Sequence, residues 1–158
     1  MEKKITIGNV CFIKDPKENK ILFLKRNREP MKNKFTGVGG KTNFSEDIYD
    51  SCRREAKEET GLLIEPKLKG VIKTILEDES SSWILFVFAA NKELCPLSYC
   101  NEGELKWISF EDIEKIDLIG FIKKLVPFIL DEKSFFHGTV KHDLQGNVIS
   151  ENIKFDKV

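Results

Sequence analysis

Between Gly37 and Leu62 the chain reads GVGGKTNFSEDIYDSCRREAKEETGL, a glycine-rich turn running into an acidic helix. Ser45 suits the N-cap, with Glu46 and Asp47 in the first turn, where carboxylates complement the positive helix end. Gly61 is a natural C-cap. At about 100° per residue, Glu55, Glu58 and Glu59 share one side of this helix. Ile48, Cys52 and Ala56 form the adjoining apolar stripe, flanked by Tyr49. The carboxylates therefore sit beside the buried face, not opposite it.

Such crowding costs stability, since like charges at i, i+4 destabilise a helix by about 0.2–0.5 kcal/mol per pair. A divalent cation reverses the sign. Three carboxylates, together with phosphate oxygens and water, make the hard oxygen shell that Mg²⁺ accepts. Arg54 could pair with a neighbouring carboxylate and orient it. An acidic run by itself reads more often as a solvated helix face, so the surrounding spacing decides.

Gly40 is followed after five residues by Glu46, and after seven more by Arg54-Glu55-Ala56-Lys57-Glu58-Glu59-Thr60-Gly61-Leu62. This arrangement resembles the signature box of the Nudix hydrolases. At ordinary residue usage the match would arise by chance with a probability on the order of 10⁻⁷. The resemblance implies an α/β/α sandwich with a central mixed sheet and a divalent cation, Mg²⁺ or alternatively Mn²⁺. It implies that the carbonyl of Gly39 and the carboxylates of Glu55, Glu58 and Glu59 bind the metal. One of these glutamates would also serve as general base, and Arg54 would orient a carboxylate. Glu46 would be structural or support the ligands. In relatives of the MutT type an acidic residue precedes a strand bearing tryptophan. Asn101-Glu102-Gly103-Glu104-Leu105-Lys106-Trp107 matches, which makes Glu102 a further candidate ligand.

The remaining chain supports the same architecture. Lys3 to Lys14 reads as a strand whose apolar parity breaks after Gly8, consistent with a bulge or with burial on both faces. Lys20 to Arg26 is a second strand, and Asn27 to Lys34 a polar loop. Leu62 to Leu76 fits one or two strands. Trp83 to Ala90, a continuous apolar run, fits a strand buried on both faces. Glu104 to Phe110 is a short strand. Asp117 could cap a helix through Leu130, which Pro127 must kink or restart. Phe135 to Phe155 reads as a hairpin turning at Gly146-Asn147. The whole, residues 1–158, is expected to be one α/β domain: a three-layer sandwich with a C-terminal hairpin.

The stretches ILFLKR, FTGVGGK and CNEGELKW, with the closing FFHG, look like MutT-type phosphatases that clear oxidised purine nucleoside triphosphates. On that resemblance the expected reaction is cleavage of a nucleoside triphosphate, such as 8-oxo-dGTP, to the monophosphate and pyrophosphate. Lys25 and Phe35 would flank the base and phosphate channel, although Phe35 could equally be core. Lys41 suits a phosphate oxygen. Two positions depart from 8-oxoguanine readers: Thr36 stands where several carry asparagine, and Asp117 is a lone carboxylate before the late helix. A pocket that rejects ordinary guanine needs buried polar partners. Hydrolysis of another nucleoside diphosphate derivative, or a non-catalytic nucleotide-binding regulator, are the alternatives. His137 and His142, both in the tail hairpin, read as surface residues.

Charge sets the partners. Lysine plus arginine and aspartate plus glutamate number 26 each, so the net charge is zero. That disfavours a broad nucleic-acid or membrane surface and leaves a nucleotide as the expected partner, with a monomer or homodimer as assembly. The longest apolar run spans eight residues, and MEKKITIG lacks a signal core. Cysteines 11, 52, 95 and 100 include no CxxC pair, which points to reduced thiols and a cytoplasmic setting.

Overall fold

A computed structural model describes residues 2–157. Its first strand, β1 (Lys4–Asp15), is buried along its last eight residues. Its pairing with a parallel neighbour runs unbroken from Lys4–Ser81 to Lys14–Asn91. Coverage of both faces, and not a bulge, explains the broken parity. Val10 and Phe12 enter one core and Cys11 and Ile13 the other.

The other strands are β2 (Lys20–Arg26), β3 (Phe35–Thr36), β4 (Val38–Lys41), β5 (Lys67–Leu76), β6 (Ser81–Asn91), β7 (Gly103–Ser109), β8 (Ser134–His142) and β9 (Val148–Lys157). Among the described residues they form one mixed sheet ordered β3-β2-β1-β6-β5-β8-β9, with β4 also on β1 and β7 also on β2. The β1–β6 and β5–β8 pairs are parallel, the rest antiparallel. Along one edge, β1 therefore forks between β4 at residues 8–11 and β2 at residues 13–15. The fork brings the glycine turn beside the middle of the sheet.

Helix α1 (Ile48–Thr60) lays Cys52 and Ala56 on Cys11 and Ile13. Helix α2 (Gly120–Leu130) lays Ile122, Leu125 and Ile129 on the opposite face, against Val10 and Phe12. The result is the expected three-layer arrangement. The buried ammonium groups of Lys14 and Lys69 donate to the carbonyls of Ile129 and Asp131, closing the C-terminal end of α2.

Several boundaries differ from the sequence reading. Residues 62–66 form no strand, leaving β5 as the single strand there. β6 begins at Ser81, because β1 supplies pairing partners from Lys4 onward. Asp117 does not cap α2. Leu118 bridges to Phe35, and Ile119 N–H donates to the Phe35 carbonyl at 3.0 Å, so residues 117–119 are strand-like and the helix starts later. Pro127 stays inside the helix, which continues to Leu130. The C-terminal hairpin turns through Asp143–Asn147, where the Asp143 carboxylate accepts from the amides of Gln145 and Asn147. No helix among the described residues is long and apolar enough to cross a membrane.

Candidate active site

The glycine turn and α1 assemble the site. The residue that caps α1 is Asp47, not Ser45: its carboxylate accepts from the amides of Tyr49 at 2.9 Å and Asp50 at 3.1 Å. Glu46 thereby falls outside the helix and is released to pair with Arg54. Gly61 ends the helix in the left-handed conformation, φ 78°, with its N–H on the Lys57 carbonyl. Gly39 has φ 154°, and a Cβ there would run into the Asn9 carbonyl. Its N–H donates to Glu59 Oε2 at 2.8 Å. A Cβ on Gly40 would lie 2.7 Å from the Glu55 carboxyl carbon. Glycine at these two positions is what lets the turn lie directly on the helix carboxylates.

Arg54 organises the acidic side chains. Its Nε and Nη2 donate to Glu46 at 2.7 and 3.0 Å, a bidentate fork. Nη1 donates to Glu55 at 3.0 Å and to Glu58 at 3.2 Å, and Nη2 also reaches the Lys41 carbonyl at 3.1 Å. The guanidinium holds Glu46 down at a pKa of about 2. Burial is the largest influence on Glu55 and pushes its carboxyl up, against Arg54.

Glu59 is the extreme case. It is 5% exposed, and its Oε1 is buried with no hydrogen-bond partner. Burial, then the adjoining Glu102 carboxyl, push it up to about 9, while the Gly39 N–H pulls the other way. Glu102 arrives at the start of β7, where Asn27 N–H donates to its carbonyl at 3.2 Å and Gly103 pairs with Arg26. Glu55, Glu58, Glu59 and Glu102 line one recess of about 310 Å³.

The donors are all oxygens, several already anionic, and the most buried of them lacks a partner. That chemistry fits a hard divalent cation. In this arrangement the guanidinium of Arg54 draws Glu46, Glu55 and Glu58 toward itself. No three His, Cys, Asp or Glu side chains among the described residues converge closely enough to cage an ion unaided. Backbone carbonyl, water and phosphate oxygens would complete such a shell.

A second cavity of about 330 Å³ adjoins the first, sharing Glu59 and Glu102 with it. Trp83, Leu85, Phe121 and Ile122 supply apolar wall, and Arg26, Thr36, Thr74 and His142 supply polar groups. The sequence-expected substrate residues divide here. Thr36 lines this cavity. Phe35 is 7% exposed in the core, with Lys25 Nζ 5.9 Å above its ring. Lys41 is exposed and meets the site through its backbone carbonyl. Asp117 pairs with Lys34 at 3.5 Å, its side chain 70% exposed. Lys25, Phe35, Lys41 and Asp117 do not line either cavity.

Other lining residues were not singled out from the sequence. His142 is buried, not a surface residue: its Nδ1 is 2.7 Å from the Asp143 carbonyl, which can only accept, so Nδ1 is a donor. Asn9 donates through Nδ2 to Ser51 Oγ at 2.8 Å, and Thr42 donates to the same hydroxyl at 3.0 Å. Ser51 in turn hydrogen-bonds Glu46. A buried polar thread thus ties β1 to the Glu46–Arg54 fork. Asn9 alone stood out in sequence, as a polar residue beside the apolar run of residues 10–13.

Comparison with known proteins places this geometry. A family profile described as the NUDIX domain matches residues 5–128. The chain is 30% identical over 138 residues to YvcI of Bacillus subtilis (strain 168), a Nudix hydrolase described as uncharacterized, covering 84% of this chain and 85% of that one. Over 56 residues, 35% of this chain and 32% of the relative, it is 43% identical to a protein of Methanocaldococcus jannaschii named ADP-ribose pyrophosphatase. Among solved structures, a mutator MutT protein from Bacillus halodurans superposes with a TM-score of 0.83 at 24% identity, covering 94% of this chain and 97% of its own. Helix, glycine turn, profile and full-length relative agree: the chain belongs to the Nudix family, hydrolases that act on nucleoside diphosphate derivatives.

Proposed function

We propose that this protein is a Mg²⁺-dependent nucleoside triphosphate pyrophosphohydrolase, releasing pyrophosphate and the monophosphate, with an oxidised purine nucleotide of the 8-oxo-dGTP kind as substrate. The observation that carries the reading is the contact between Glu59 and Glu102: two carboxyl groups, one of them buried with an unpartnered oxygen, at the junction of both cavities. Two carboxyl groups so placed can both ionise only if a cation takes the proton's place, and a cation there calls for an anionic ligand.

Glu55, Glu58, Glu59, Glu102 and the Gly39 carbonyl would hold the ion. When bound, the ion neutralises phosphate charge and lowers the pKa of the attacking water. Arg54 orients Glu55 and Glu58, and one glutamate of the set accepts the proton. The neighbouring cavity would take the base: Trp83 and Phe121 offer ring faces, while Thr36 and His142 offer hydrogen bonds. Lys41, on the rim, would meet a phosphate oxygen once its side chain turns inward.

The relative named for ADP-ribose supports a second reading, with a nucleoside diphosphate sugar as substrate. A panel of ordinary and oxidised nucleoside triphosphates and ADP-ribose, compared by kcat/KM with Mg²⁺ and with Mn²⁺, separates the two. Pyrophosphate released from a triphosphate is the expected result. Preference for ADP-ribose would replace the substrate assignment, and binding without turnover would favour a nucleotide-sensing module. Glu58→Gln should remove most of the rate while leaving the fold intact, and full activity in that variant would overturn the role assignment.

A further inference from the structure

Helix α1 covers only part of its side of the sheet. It lies over β1 and β4, with the Tyr49 ring reaching Phe88 of β6 at 6.5 Å. Beyond it, cross-strand partners that share this face form continuous rows. One row runs Ile7, Ile84, Lys73, Thr139, Asn152, and another runs Ile5, Ser82, Ile75, Lys141, Ser150. A third runs Asn9, Phe86, Val71, His137, Lys154. Across these rows the face is apolar near β1, β6 and β5, then basic toward β8 and β9. Ile5 is 64% exposed and Ile7 47%.

Charge divides across that apolar stripe. On the helix side, the exposed carboxylates of Asp47 and Asp50 have no basic partner among the described residues. On the open side, Lys73 and Lys154 likewise have no acidic partner among them. The face therefore consists of an acidic-ended ridge, an apolar stripe and a basic step. The step, β5 to β9, spans roughly 10 Å, which is about the width of one helix with its side chains.

We propose that this face is the interface of a symmetric homodimer. A two-fold axis through the Ile7–Ile84 stripe seats α1 of each copy on the open strands of the other. Isoleucines then meet isoleucines, and the acidic helix end of one copy meets the lysines of its partner. A two-fold interface must be self-complementary, and this face sets an acidic helix end and unpaired lysines on either side of one apolar stripe. An anionic lipid surface is a poorer occupant, because it would repel the acidic ridge. Glu55 and Glu58 lie on the flank of α1 opposite Tyr49 and Arg53, so both copies keep their sites open.

The test is the mass of the full chain in solution, by sedimentation and light scattering at tens of micromolar. Twice the chain mass of 18.2 kDa is expected. Ile7→Glu should give a folded monomer with an unchanged far-ultraviolet circular dichroism spectrum. Lys73→Glu, at an exposed position, should weaken the dimer at least about tenfold, and adding Asp50→Lys to it should restore most of the loss. A monomeric parent protein, or a dimer that neither Ile7→Glu nor Lys73→Glu weakens, overturns the proposal.

Discussion

Glu46 and Arg54 meet through two parallel hydrogen bonds of 2.7 and 3.0 Å, although Glu46 lies outside the helix that carries Arg54. The fork fixes the guanidinium plane, and the remaining donors then hold Glu55 and Glu58. Lysine cannot reproduce this, because it offers a point charge without a planar fork. Arg54→Lys is expected to lower kcat/KM by roughly 10–100-fold, the usual cost of losing a residue that orients metal ligands. Melting at neutral pH should fall modestly, because the fork to Glu46 is lost as well. Steady-state kinetics beside a thermal melt of the same sample checks both.

The same pair sets an acid limit on stability. Arg54 lowers the pKa of Glu46 from 4.5 to about 2 in the folded protein. A depressed pKa contributes stability that is complete above the unfolded value and lost as pH falls through the folded one. The denaturation midpoint of the parent protein should therefore fall more steeply between pH 4.5 and 2 than that of Glu46→Gln. Above that window the parent should be the more stable of the two. Parallel curves throughout would show that the fork contributes nothing to folding.

Glu59 governs the response to metal. Glu59 is brought together with Glu55, Glu58 and Glu102 only in the folded protein, so a cation held by the set binds the folded state selectively. Mg²⁺ at about a hundredfold excess over its dissociation constant should raise the melting temperature by roughly 5–10 °C. Glu59→Gln should abolish most of that rise. Without added metal the variant should melt close to the parent at neutral pH, since a carboxyl with a pKa of about 9 is already neutral there and an amide keeps that state. Differential scanning calorimetry with and without Mg²⁺ decides it. An undiminished shift in Glu59→Gln would move the ion elsewhere.

Much of this arrangement was legible in the residues, and what was not has a physical reason. The box helix, its Gly61 terminus, the bounds of β2 and the closing hairpin are local features, set by periodicity and turn chemistry within a few residues. The start of α1 was misplaced because Ser45, Glu46 and Asp47 are three consecutive side-chain acceptors. Only the fold, by drawing Glu46 to Arg54, decides among them. Asp117 was misread for a related reason: the pairing of Phe35 with Leu118 joins residues far apart in sequence, and it holds the segment extended where local propensity favours a cap. His142 looked like hairpin surface, because nothing nearby in the sequence announces that Phe121 packs 5.0 Å from its ring. The carboxylate centre was thus readable, while the cavity beside it, built from nine separate strands and helices, was not.

β1 sends alternate side chains into two separate cores. A single residue inserted or removed between Asn9 and Ile13 would make every later side chain of the strand change sides. Phe12 would be driven against the helix that carries the glutamates, and Cys11 against the other. Length variation in this stretch is therefore closed to the protein, whereas the exposed turn at residues 16–19 remains free to lengthen.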